Sequence, residues 1–116
     1  MPDPAANQPT EAAELYQQAE EVSPRPELIF IGRGRILLQL DRFEPALALA
    51  EEAIAINPDS AEAWFLAGQA HERLGDIEQA FQEMSLASDL ALEQGDQTLY
   101  AIIRVNIGYL SPGGAR

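Results

Sequence analysis

Cysteine is absent from this chain of 116 residues, and so is lysine. The first absence excludes a disulfide framework, thiolate chemistry and thiolate-bound zinc. The second leaves all 7 basic residues as arginine. That pattern is either a compositional habit of the source or a retention of guanidinium groups for bidentate recognition of anions. Basic charge is scarce altogether: 19 acidic residues oppose it, for a net charge of −12. Such a surface repels phosphate backbones and anionic headgroups, so a nucleic-acid partner is not expected. No apolar run reaches the roughly 18 residues that span a bilayer, so no membrane insertion is expected. The first ten residues are polar and proline-rich, without the basic start and apolar stretch of a signal peptide. A cytoplasmic protein is the resulting expectation. Histidine occurs once, at His71. A single imidazole with no thiol beside it makes no catalytic pair. The chain therefore reads as a non-enzyme, with no catalytic residue, no metal ligand set and no cofactor.

What the chain does have is apolar content, 47% of its residues. At this length a single domain buries roughly two-thirds of its unfolded surface, enough for one core without staples. Displacing the sequence against itself by 34 residues brings like onto like. Phe30 falls on Trp64, Gly34 on Gly68, Leu40 on Leu74, Ala46 on Ala80 and Ala53 on Ala87. The same step backwards takes Ala46 to Ala12, Ala53 to Ala19 and Pro58 to Pro24. Two full units are thus preceded by half a unit.

Each unit reads as a pair of helices. Leu28, Ile31, Leu37, Leu38 and Leu40 recur at helical spacing from about Pro26 to Leu40. Asp41 with Glu44 gives a capping-box start for a second helix running to about Ile56. Pro45 is tolerated there because the first turn's N–H groups have no intrahelical partner. Asn57-Pro58-Asp59 is a turn, and Asp59 with Glu62 offers a second capping box. Gly75-Asp76 closes that helix and starts another, with Gln79 in the reciprocal position. This fourth helix extends from about Ile77 to Glu93 or Gln94 and stops at Gly95. A last helix covers Gln97 to Leu110, with Tyr100 in the place of Trp64 after about two extra residues.

The small and large residues in this spacing resemble the tetratricopeptide repeat (TPR), W-x2-L-G-x2-Y, then A-x3-F, then P. Trp64-x2-Ala67-Gly68-x2-His71 and Ala80-x3-Met84 carry one copy. Phe30-x2-Arg33-Gly34-x2-Leu37, Ala46-x3-Ala50 and Pro58 carry the other. Leu92 stands where the second copy would close with proline. Gly34, Gly68, Ala46 and Ala80 let helices approach closely where they cross. The expected fold is therefore all-α: a TPR helical-hairpin solenoid of about six antiparallel helices. Residues 1–10 are expected to be a disordered arm, 11–110 the TPR domain, and 111–116 a disordered tail. The overall look is also similar to bacterial stand-alone TPR proteins, cyanobacterial photosystem-assembly factors among them.

The resemblance implies that the first helix of each pair lines a concave groove. The residues carried onto it are Leu28, Ile31, Arg35, Leu38, Glu62, Phe65, Gln69, Glu72 and Arg73. A mixed apolar and arginine surface suits a protein or peptide partner with an acidic group, held by an adaptor or assembly factor. The plainer alternative is a solvated face. One TPR class clamps the carboxylate tails of heat-shock chaperones with lysine and asparagine. Here those places hold Ile31, Arg35 and Leu66, which argues against that clamp.

Gly32-Arg33-Gly34-Arg35 invites a phosphate-loop reading, with Arg33 and Arg35 binding a small anion. It lacks the Lys-Ser/Thr ending and sits in a helical pattern. Glu20-Glu21 and Glu51-Glu52 read as solvated charge on outer helices. His71 takes the place of a consensus tyrosine, so a packed imidazole is expected. The last helix is apolar nearly all round, which usually means burial on all sides. Two repeats do not cover it. Leu99, Tyr100, Ile103, Ile107 and Leu110 are therefore the candidate contact for a partner or a homodimer.

Overall fold

The computed structural model describes residues 25–110, and these form five helices. They are α1 (Glu27–Gln39), α2 (Phe43–Ile56), α3 (Ala61–Arg73), α4 (Ile77–Glu93) and α5 (Gln97–Leu110). Each packs on the next, and α3 also touches α1 and α5. The all-α helical-repeat architecture is therefore as expected, with helix ends within a residue or two of those read from the spacing. The preceding half unit, the 1–10 arm and the 111–116 tail lie outside the described residues.

Close crossings are made where the small residues fall. A Cβ on Gly34 would stand 2.6 Å from Leu66 Cδ2, and one on Gly68 would stand 2.7 Å from Met84 Cγ and 3.2 Å from the Ala80 carbonyl oxygen. Ala46 and Ala80 are fully buried. Two apolar clusters result. One holds Ile31, Ala50, Ala53, Ala63, Leu66 and Ala67. The other gathers Phe65, Ala80, Met84, Ala87, Ile103, Ile107 and Leu110 around α4. The adjacent residues Phe65 and Leu66 thus serve different clusters, because α3 has neighbours on both sides.

Three corners share one geometry. Asp41, Gly75 and Gly95 adopt positive φ of 60°, 90° and 76°. Behind them the N–H groups of Arg42, Asp76 and Asp96 reach the carbonyls of Leu37, His71 and Ala91 at 2.8–2.9 Å. That is the Schellman closure of α1, α3 and α4 in turn. It corrects the expected start of α2. Asp41 is used as the left-handed terminator of α1, so Arg42 becomes the N-cap, without a side-chain cap bond. The start of α3 is corrected too. Ser60, not Asp59, is its N-cap, its Oγ accepting from the Ala63 N–H at 3.2 Å. Asp59 instead gives its N–H to Asn57 Oδ1 in the turn. Asp76 caps α4 by accepting from the Gln79 N–H, as expected. The reciprocal bond is not made, since Gln79 Nε2 donates to Glu83.

Candidate protein-binding surface

Leu28, Gly32 and Arg35 stand at intervals of four and three residues, so they share one face of α1. Among the described residues, a Cβ on Gly32 would meet nothing within 4 Å. This glycine therefore leaves open space between an exposed leucine and an exposed arginine. Arg35 Nη2 donates to Glu62 Oε2 of α3 at 3.5 Å, which ties the two helices across this face. With half of the Arg35 side chain in solvent, such a pair contributes about 0–1 kcal/mol and is readily exchanged.

The structure divides the other groove residues. Gln69 and Glu72 are half-buried on α3. Leu38 packs partly against the first cluster. Ile31 and Phe65 are core residues, 1% and 7% exposed. That corrects their placement as groove lining: α3 is enclosed on both flanks, and its large apolar side chains are drawn inward. Arg73 is exposed, and its guanidinium lies over the Phe43 ring, 5.3 Å from the centroid. It is thereby held toward the start of α2. Arg33 and Arg35 project about 200° apart around α1, so the two do not converge on one anion.

The α5 residues require a larger correction. Ile103, Ile107 and Leu110 are buried against α4 within the chain. Leu99 and Tyr100 pack beside them. None of the first three is free for a partner. Among the described residues the helix is covered on one side only, and its other side presents Ile102, Val105 and Tyr109. A helix apolar nearly all round, broken only by Arg104 and Asn106 beyond its first turn, gives too little polar face to tell inside from outside, which is why sequence reasoning chose the buried stripe.

Two polar clusters also escaped the sequence reading. His71 is half-buried, and its Nδ1 lies 2.6 Å from Glu83 Oε1 between α3 and α4. Glu83 is itself buried, and its second oxygen accepts from Gln79. The other cluster surrounds the α2–α3 turn. Glu27 is buried at the start of α1 and accepts from Asn57 Nδ2 at 3.1 Å and from Arg25 Nε at 3.2 Å. Burial pushes the Glu27 carboxyl up. The Asn57 hydrogen bond, its own backbone N–H and Arg25 outweigh that and hold it below its ordinary 4.5. Trp64 Nε1 donates to the Pro58 carbonyl and Gln94 Nε2 to the Asp59 carbonyl, both at 2.7 Å. These bonds fix α1, α3 and the end of α4 to one turn. Among the described residues no group of three His, Cys, Asp or Glu side chains is placed to hold a metal ion, and no helix is long and apolar enough to cross a membrane.

A family model described as tetratricopeptide repeat matches the chain twice, over residues 5–60 and 31–91. The chain belongs to the tetratricopeptide-repeat family. Its TPR relatives include mouse Tetratricopeptide repeat protein 33, 32% identical over 66% of this chain and 29% of the relative. The Protein STIP1 homolog of Dictyostelium discoideum is 32% identical over 76% of this chain and 15% of its own length. Hsc70-interacting protein 1 of Drosophila melanogaster is 31% identical over 72% and 22%. The chain thus spans less than a third of each of these relatives. The family-model matches end at residue 91, so they take in α1 to α3 and most of α4.

Proposed function

We propose that this TPR unit is a protein-interaction module, and that the α1–α3 face takes a partner segment bearing a carboxylate. The observation that carries the reading is the gap at Gly32, flanked by Leu28 and by an arginine held only by an exchangeable bond to Glu62. A partner's apolar side chain fits the gap. Its carboxylate replaces that of Glu62 on the Arg35 fork, where two parallel bonds are stronger than the present single one. Relatives with names such as Hsc70-interacting protein support protein binding as the class of function. A chaperone-tail clamp is less suited here, because two of the three positions it would need, Ile31 and Leu66, are sealed in the core. A role as an adaptor or assembly factor in the cytoplasm belongs to the same proposal.

The test is selection of displayed peptides on the full chain and on the charge-swapped variant Arg35→Glu with Glu62→Arg. The swap keeps an ion pair between α1 and α3. Wild type is expected to enrich acidic or C-terminal carboxylate sequences, and the swap to lose them. Equal enrichment by both proteins would remove Arg35 as the anchor.

A further inference from the structure

The open side of α5 is formed by Ala101, Ile102, Val105, Gly108 and Tyr109, opposite the buried Ile103, Ile107 and Leu110. Ile102 is 47% exposed, Val105 58% and Tyr109 75%. We infer that this face pairs with the same face of a second copy of the chain, antiparallel, about a two-fold axis through Val105. The inference is independent of the α1–α3 reading, since it uses a different helix.

The first argument is self-complementarity. In a two-fold contact, whatever residue i meets on the partner must meet residue i in return. An antiparallel pairing centred on Val105 sets Tyr109 opposite Ala101 and Ile102 opposite Gly108. Each large side chain then faces a small residue, as interdigitating layers require. Arg104 falls opposite Asn106. The Asn106 amide N–H already donates to the Ile102 carbonyl at 2.8 Å, which leaves its carbonyl oxygen to accept from the guanidinium.

The second argument is Gly108. Gly34 and Gly68 are explained by neighbours that a Cβ would strike, but among the described residues a Cβ on Gly108 meets nothing within 4 Å. Mid-helix glycine weakens a helix relative to alanine. Close approach of another chain supplies the reason that packing among the described residues does not. The third argument is charge. All 19 acidic residues precede Gln97. Two copies, each of net charge −12, repel on most surfaces, whereas α5 offers an apolar contact with no carboxylate on either side.

Sedimentation velocity of the full chain over a dilution series tests this. Wild type is expected to run as a dimer that dissociates on dilution. Val105→Glu places two carboxylates at the axis and should raise the dissociation constant about 100-fold or more. Its helicity at low concentration should be unchanged, because Val105 is exposed. Gly108→Ala separates association from folding: the monomer should melt higher, while dimerisation weakens about tenfold as the methyl group takes the seat of Ile102. With no native thiol, Val105→Cys should cross-link on oxidation and Ile77→Cys on α4 should not. A wild-type monomer at every concentration would overturn the proposal. So would a dimer that Val105→Glu leaves intact.

Discussion

Helices α3 and α5 hold the same place in successive hairpins, and their residues differ according to how many neighbours each has. Their N-caps, Ser60 and Asp96, lie thirty-six residues apart and make the same bond to the N–H three residues on. In that register Leu66 corresponds to Ile102, Gly68 to Arg104 and Ala70 to Asn106. Helix α3 is enclosed by α2 and α4, and Leu66 is 0% exposed. Helix α5 has α4 on one side, and Ile102 stays half in solvent. A glycine stands at the crossing where another helix lies close, and an arginine stands there where none of the described helices does. A helix laid on α5 as α4 lies on α3 would strike the Arg104 side chain. The position in the repeat sets the backbone, and the number of neighbours decides the residue.

The comparison breaks most sharply at its apolar pair. Leu66→Ala is expected to cost about 3 kcal/mol, since the cavity would be lined by tightly crossing helices that have little room to collapse. Ile102→Ala should stay within about 0.5 kcal/mol in the monomer. Urea titrations below any association concentration check both. Equal losses would mean that α5 is as enclosed as α3. The glycines come next. Gly68→Ala should destabilise by about 1–3 kcal/mol, because its methyl group meets the Ala80 carbonyl as well as the more yielding Met84 side chain. Gly32→Ala, in open space, should stabilise by about 0.5–1 kcal/mol. If it also weakens peptide capture, the gap is part of the binding face.

Much of this was legible in the sequence because it recurs. The 34-residue displacement exposes the helices, the turns and the glycines of the crossings, since each rests on spacing alone. The extra two residues before Tyr100 are explained by the longer α4 and its Gly95 closure. What spacing did not show depends on contacts between distant residues. Glu27 with Asn57 and Gln94 with Asp59 each join positions that no local pattern links. The orientation of α5 was hidden for another reason: apolar residues lie nearly all round the helix, and Arg104 and Asn106 alone do not make a polar stripe that marks the outside. Ile31 and Phe65 were misplaced because a family-derived groove says which helix faces a ligand, not which side chains a flanking core absorbs.

Glu27 sharpens the comparison at the other end of the solenoid. Its equivalents are Ala61 on α3 and Gln97 on α5, so only α1 opens on a buried carboxylate. Its folded pKa lies below the unfolded one. The stability it adds is therefore present above about 4.5 and is lost as pH falls through the folded value. Glu27→Gln is expected to cost about 1 kcal/mol at pH 7 through weakened bonds from Asn57 and Arg25. That difference should shrink steadily as the unfolding free energies are compared at successively lower pH. A difference that persists unchanged at low pH would mean that packing, not charge, is what Glu27 supplies.

The smallest effect concerns the helix starts. Ser60, Asp76 and Asp96 each cap their helix by accepting from the N–H of the third residue on. At the start of α2 that third residue is Pro45, which has no N–H to give. Arg42 has nearly the backbone angles of Asp76, φ −104° and ψ 81° against φ −90° and ψ 77°. The missing cap therefore follows from the residues, a donor-only arginine at the cap and a proline three residues on, and not from the shape of the corner. Arg42→Asp alone should change stability by only about 0.3 kcal/mol, through the helix dipole. Pro45→Gln alone should lose about 0.5 kcal/mol, because the unfolded chain gains freedom. Together they recreate the Asp76–Gln79 pair of α4, and the double variant should exceed the sum of the singles by about 1 kcal/mol. A double-mutant cycle in urea measures that excess directly. Simple additivity would mean that the α2 start is set by the Schellman corner at Asp41, with the side chain at position 42 irrelevant to it.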